Sequence, residues 1–215
     1  MTAPSAPTER TRVRRNRALA NHERATLRAI IDAAWLCHVA FHDGGSTHSI
    51  PTACWREGEH LYIHGSNGGR LTKLLMQGTQ ACVAIALLDG LVMARSAFNH
   101  SMNYRSAIIY GQFEAVDGDA AKRASMAAFI EKIAPGRQDD VRPGSDKEFG
   151  ATTVMRISLS EAACKTRTGG PNDDAEDMGI EAWVGVLPMA LLPQAPVPEP
   201  ACTVPTPAYV AAWRA

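Results

Sequence analysis

No stretch of this sequence is long and apolar enough to suggest a membrane helix. The longest strongly apolar run, Ala81 to Leu88, falls far short of the roughly 18 to 20 residues a span needs. The first thirty residues are basic but hold no apolar segment ahead of a small-residue cleavage site, so they do not read as a secretory signal. The five cysteines form no C-x-x-C pair, follow no regular spacing and are odd in number, which argues against a disulfide framework. A reduced, cytoplasmic chain without membrane contact is the expectation. Charge of one sign is also missing: 22 basic residues balance 22 acidic ones, which argues against a protein built to coat nucleic acid.

Several catalytic signatures are absent as well. G-x-x-x-x-G-K-[ST] and G-x-G-x-x-G after a strand do not occur, so neither a nucleoside triphosphatase loop nor a Rossmann site is indicated. There is no G-x-S-x-G elbow for a hydrolase. His38, His42 and His48 lie close together, yet H-E-x-x-H is absent and no carboxylate stands at a ligand-like offset; no metal site is expected. Cys54 and His64 face each other in a hairpin reading, but such a pairing is common between any two strands, and a small buried cysteine is its usual outcome.

What is present is an ordinary globular composition, 46% hydrophobic and 20% charged, in a chain long enough to bury its own core. Three parts separate. Residues 1–19 form a basic arm, with Arg10, Arg12, Arg14, Arg15 and Arg17 close together and no interleaved aromatics, which makes nucleic-acid binding a poor reading. Residues 191–215 form a proline-rich tail, whose end from Tyr209 to Trp213 has the composition to dock; seven of the 13 prolines lie from Pro188 to Pro207, so this segment cannot continue a sheet or helix. Residues 20–190 are the folded domain.

Within the domain, apolar periodicity predicts a helix over 20–34 with Leu27, Ile30, Ile31 and Ala34 on one face. Strands are expected at 35–41, 47–56, 60–64, 80–88, 105–116 and 152–159, with a hairpin turn at Glu57-Gly58-Glu59. Two further helices are expected, 70–76 and 120–133, the latter opened by Asp117 or Asp119 and stopped by Pro135-Gly136. Many short strands with few helices predict a mainly β protein, a small antiparallel barrel rather than a doubly wound sheet.

Three stretches carry chemistry. His64-Gly65-Ser66-Asn67-Gly68-Gly69-Arg70-Leu71-Thr72-Lys73 joins a strand end, a glycine-rich loop and a helix start bearing two cations, a composition suited to cradling a phosphate, although an ordinary solvated loop has the same ingredients. The segment from Leu88 to Ser106 gathers Arg95, His100, Asn103, Tyr104 and Arg105 between two strands, either to position a ligand or to satisfy local backbone. Cys164-Lys165-Thr166-Arg167-Thr168-Gly169 is followed by an acidic run, Asp173, Asp174, Glu176 and Asp177, and then by Trp183-Val184-Gly185-Val186-Leu187-Pro188. A charge run of this kind is usually a solvated loop.

On these stretches, with Arg14-Arg15, Cys37-His38-Val39-Ala40-Phe41, Ile50-Pro51-Thr52, Leu61-Tyr62-Ile63-His64-Gly65-Ser66, Asp89-Gly90-Leu91-Val92 and Ser101-Met102-Asn103-Tyr104-Arg105-Ser106, the chain resembles the pyridoxamine 5′-phosphate oxidase-related flavin-nucleotide-binding family, in its nitroimidazole-resistance branch. The motifs run in order across about 175 residues. The resemblance implies a six-stranded antiparallel split β-barrel that binds FMN at a homodimer interface and acts on a small molecule by hydride transfer at flavin N5. It implies phosphate contacts from His64, Ser66, Arg70 and Lys73, ring contacts from Pro51, Thr52 and Ala53, and further contacts from Asn103, Tyr104, Arg105, Ser106 and Trp183, some of them supplied by the second subunit. Arg105 is the candidate for stabilising the reduced ring. No catalytic residue is assigned. The C-terminal end lacks the Arg-Leu pair of pyridoxamine phosphate oxidases proper, which argues against that substrate. Deazaflavin or haem remain alternative cofactors on such barrels, and a non-catalytic carrier or sensor an alternative role, with His38, His64 or His100 as haem ligands.

Overall fold

The computed structural model describes residues 6–212. Strands β1 (Ala20–Asn21), β2 (Leu36–His42), β3 (Thr47–Ala53), β4 (Trp55–Glu57), β5 (His60–Ser66), β6 (Ala81–Met93), β7 (Ser101–Gly111), β8 (Glu114–Ala115), β9 (Thr152–Ser158), β10 (Ala162–Arg167) and β11 (Gly185–Pro188) alternate with helices α1 (Arg24–Ala33), α2 (Arg70–Met76), α3 (Asp119–Ile133), α4 (Asp146–Gly150) and α5 (Ala208–Ala211). All strand pairs are antiparallel. One sheet runs β1-β10-β7-β6-β2-β3 with β11 added to β6; the other runs β4-β5-β9-β8. The fold is the mainly β split barrel that was expected, with seven longer strands supplemented by short β1, β4, β8 and β11.

The two sheets face each other because their apolar residues alternate. Cys37, Val39 and Phe41 of β2, Val83 and Ile85 of β6, and Ala107 and Ile109 of β7 point inward, against Leu61 and Ile63 of β5 and Met155 and Ile157 of β9. Helix α1 closes one end of this core with Leu27, Ile30 and Ile31, and α2 adds Leu75. A second cluster, Trp55, Tyr62 and Val154, lies under Met126 and Phe129 of α3. The Trp55 indole donates to Glu57 Oε1 at 3.0 Å, and Ser125 Oγ donates to the same oxygen at 2.5 Å.

Several boundaries differ from the expected ones for local reasons. Helix α1 starts at Arg24, because Ala20 and Asn21 pair with Lys165 and Cys164 as β1. Its C-terminus is held from outside: Lys132 Nζ of α3 donates to Ala34 O at 2.5 Å, Cys54 O at 3.1 Å and Ile31 O at 3.3 Å. The residue that caps α3 is Gly118, at φ +84°, rather than Asp117 or Asp119; Asp119 sits in the first turn instead. The expected strand 47–56 is two strands, β3 and β4, broken at Cys54.

The largest difference lies between Leu88 and Ser106. Strand β6 does not end at Leu88 but passes a bulge at Asp89 and continues to Met93, and β7 begins already at Ser101. Gly90 follows the bulge where β11 crosses closely: a methyl there would lie 3.0 Å from Val186 Cγ1 and 3.1 Å from Leu187 O.

Residues near both ends of the described chain are tied to the rest of the fold. Arg10 Nε donates to Glu161 Oε1 at 2.6 Å, its guanidinium lies over the Tyr110 ring, and Thr11 is buried. After β11 no further strand forms among the described residues. Tyr209 of α5 donates to Asp140 at 2.6 Å and accepts from Arg137 at 3.0 Å. The first five residues of the arm and Trp213 of the tail lie outside the described residues. The acidic run is only partly solvated: Asp173 is buried at 4% side-chain exposure, accepting from Arg95 N at 2.8 Å and Arg95 Nη1 at 2.7 Å, and Asp174 accepts from Asn99. No described helix is long and apolar enough to cross a membrane.

Candidate functional site

The residues singled out from sequence fall into two groups. The first surrounds the β5–α2 loop. His64 and Ser66 end β5, Arg70 and Lys73 open α2, and Pro51, Thr52 and Ala53 lie on β3, the edge strand of the larger sheet. An edge strand leaves backbone N–H and C=O groups on its outer side free of sheet pairing, and Pro51 is tolerated there for the same reason. Gly65 is required by close approach, since a methyl on it would lie 2.5 Å from Oγ1 of buried Thr72.

Not every amide of the loop is available. Asn67 N donates to Ala151 O at 3.0 Å and Gly69 N to Ser66 O at 2.9 Å. Helix α2 has only seven residues, so its own terminus contributes little. Polar side chains carry the site instead. Ser66 Oγ and Lys73 Nζ make no hydrogen bond or ion pair among the described residues, whereas Arg70 turns to the β2–β3 hairpin and pairs with Asp43. The Arg70 guanidinium also stands 2.6 Å from His48 Nε2, which is itself 2.9 Å from Asp43 Oδ2. Backbone amides of Ser46 and Gly45, then Arg70 and His48, hold the Asp43 carboxyl well below the usual carboxylate range. Asp43, 27 residues away in sequence, carries no local signal of this link to Arg70.

His64 faces away from this cluster. Its ring lies 6.0 Å from Trp55 and 5.1 Å from Phe129, burial lowers its pKa, and its buried Nδ1 has no hydrogen-bond partner among the described residues. His38 pairs with Pro51 on the exposed face of β2, and His100 Nδ1 stands 2.9 Å from Ser96 O in the β6–β7 loop. No group of three His, Cys, Asp or Glu suited to a metal occurs among the described residues.

The second group lies on β7 and the segments after β10. Arg105 is not a free cation: Nε and Nη2 donate to the two oxygens of Asp89 at 2.9 and 2.8 Å, which raises the guanidinium pKa. Asn103 is buried, donating to Gly169 O at 3.0 Å and accepting from Arg167 at 2.5 Å, so it shapes the turn after β10. Tyr104 pairs with Arg167, and Ser106 with Lys165. Trp183 is 68% exposed, with its ring against Gly185. Strand β7 is separated from β3 by β6 and β2, about 14 Å at usual strand spacing. Within one chain the β3 residues and the β7 residues are therefore not strand neighbours.

A split barrel with a cation-bearing loop beside an edge strand defines a class of small ligand-binding β proteins. Within that class, the family model described as pyridoxamine 5′-phosphate oxidase matches residues 23–166, and the chain belongs to that family. It is similar to the flavocytochrome Anf3 from Azotobacter vinelandii, with 41% identity over 96% of this chain and 97% of the other, at a TM-score of 0.91. It is also similar to the FAD and heme binding protein from Mycobacterium smegmatis, with 33% identity, 89% and 95% coverage and a TM-score of 0.85. A 5-nitroimidazole antibiotic resistance protein from Bacteroides thetaiotaomicron shares the fold at 20% identity, 68% and 85% coverage and a TM-score of 0.57. No curated protein matches the sequence.

Proposed function

We propose that this chain is a flavin-nucleotide-binding oxidoreductase that works as a homodimer on a small molecule, with FMN as the first nucleotide to test and FAD as the second. The donor set carries the reading: Ser66, Arg70 and Lys73 are neutral or cationic donors at the end of β5, suited to a phosphate dianion, beside the unpaired edge of β3. A bound flavin supplies hydride transfer, so the protein's own task is to bind, orient and exclude water. Arg70 and Lys73 anchor the phosphate, Pro51, Thr52 and Ala53 present backbone groups to the ring, and the Asp89–Arg105 pair offers oriented N–H donors rather than a bare charge.

The separation of the two groups along the sheet and an apolar row support the homodimer. Met102, Leu91 and Leu187 stand directly opposite one another on β7, β6 and β11, with Met102 and Leu187 exposed and Trp183 nearby in sequence. A second copy covering this face brings its β7 group toward the first copy's phosphate loop. Cytoplasmic residence is part of the same proposal and rests on the thiols.

A second reading adds haem. The similarity to a flavocytochrome and to a FAD and heme binding protein supports it, and among His38, His64 and His100 it is His64 whose chemistry fits, because burial favours its neutral imidazole and its buried Nδ1 has no hydrogen-bond partner among the described residues. The test is the visible spectrum of purified protein incubated with FMN, FAD or haem, alongside thermal melting. Flavin absorbance with a raised Tm, weakened by Arg70→Ala, supports the flavin reading; neither signal with either nucleotide sinks it. A Soret band lost in His64→Ala but kept in His38→Ala and His100→Ala supports the haem reading.

A further inference from the structure

Arg70 is the strongest phosphate donor of the loop, yet its guanidinium is engaged with the carboxylate of Asp43, on the β2–β3 turn. Asp43 is well fixed for this task. Its Oδ1 accepts from Gly45 N at 3.0 Å and Ser46 N at 2.7 Å, leaving Oδ2 for Arg70 and His48. Only 17% of the Asp43 side chain is exposed, against 58% for Arg70, so the acid is the fixed partner and the arginine the movable one. His48, packed against Phe41 at 5.3 Å, contributes a crowded third contact. Its Nε2 is within hydrogen-bond distance of both partners, and a single ring nitrogen cannot donate to Asp43 and accept from Arg70 at once. One contact in this triangle is therefore always poor, and Arg70 is held less firmly than two ideal bonds would hold it.

We propose that Asp43 is an internal competitor for Arg70, a positioning residue that parks the guanidinium on the β2–β3 hairpin and sets how strongly the site discriminates phosphorylated from unphosphorylated flavin. This rests on the reading that Arg70 binds the flavin phosphate. A dianionic phosphate offers more charge and more acceptor oxygens than one carboxylate and draws Arg70 over; riboflavin, with no phosphate, has nothing to exchange. The competition weakens nucleotide binding and leaves binding of the ring alone untouched.

The test measures Kd for FMN and riboflavin by flavin fluorescence in wild type, Asp43→Asn, Arg70→Ala and the double variant. Asparagine keeps Oδ1 as acceptor for the Gly45 and Ser46 amides, and Tm reports whether the turn is retained. The expected result is FMN binding tightened about two- to fivefold in Asp43→Asn, the range of an exposed ion pair. Riboflavin affinity stays unchanged, and the gain disappears in the Arg70→Ala background. Equal tightening in the presence and absence of Arg70 overturns the proposal in favour of simple repulsion between Asp43 and phosphate. Unchanged FMN affinity in Asp43→Asn, with wild type binding FMN, overturns it while the flavin reading stands. Failure of every variant to bind FMN overturns the proposal, and failure to bind FAD as well overturns the flavin reading with it.

Discussion

Gly65 and Thr72 are in such close contact that a methyl group on the glycine would fall 2.5 Å from the threonine hydroxyl. Thr72 is buried and Leu75, one turn later, is fully enclosed, so α2 cannot retreat without opening the core. Gly65→Ala is expected to destabilise the protein by about 1–3 kcal/mol, the usual cost of overpacking. Adding Thr72→Ala removes the obstructing oxygen and recovers part of the loss. Urea unfolding of the two single variants and the double variant checks this; strict additivity would show that the contact is not the cause.

Lys132 acts as a cap supplied by a neighbouring helix. Its ammonium is desolvated, which lowers its pKa, and it donates hydrogen bonds to three carbonyls. Lys132→Met keeps the chain length and strands those acceptors, with an expected loss of about 1–3 kcal/mol. Denaturant midpoints read the loss, and hydrogen exchange should quicken in the last turn of α1 before the strands respond.

Acid should weaken the fold through His64. Burial puts its folded pKa below the ordinary 6.5, so between those two values the unfolded chain binds a proton that the folded one refuses. Stability therefore falls as pH drops through and below 6.5. The Tm of wild type measured from pH 8 to pH 5 should decline more steeply than that of His64→Phe, which keeps a ring against Trp55 and Phe129. Parallel profiles would remove His64 as the cause.

Thiol reactivity should separate one cysteine from four. Cys202 is exposed, whereas Cys37, Cys54 and Cys164 are buried and burial pushes the Cys164 thiol up to about 11. Cys82 is partly covered, and burial raises its pKa as well. Native protein is expected to release about one equivalent of a chromogenic disulfide reagent quickly, absent in Cys202→Ser, and all five thiols after unfolding. Several fast equivalents in native protein would contradict the burial of Cys37, Cys54 and Cys164 in the core.

Much of this architecture is legible in the chain because one-sided burial writes itself as alternation, as along Cys37, Val39 and Phe41. Helix α2 is bounded correctly at both ends for a similar reason, with a glycine pair before it and Gly78 just after. Strand β10 was invisible because Cys164-Lys165-Thr166-Arg167 carries little apolar signal; pairing with β7 organises it. Asp89-Gly90 reads as a turn by composition, yet tertiary pairing makes it a bulge inside a long strand. The site shows the same division. Its cations stand out in sequence, while their carboxylate partners do not: Asp43 is 27 residues from Arg70, and Asp89 is 16 from Arg105. Nothing local announces either pairing.

The clip formed by Tyr209 with Asp140 and Arg137 gives the proline-rich segment two fixed ends, β11 at one and α5 at the other. Such a segment is a strap rather than a loose tail. A single protease cut between Met189 and Thr206 would leave β11 with the barrel and a short fragment held, among the described residues, chiefly by that clip. Nicked protein should therefore run intact under native conditions only while Tyr209 keeps its hold, and a label placed on α5 would report the state of α3 and the turn that follows it.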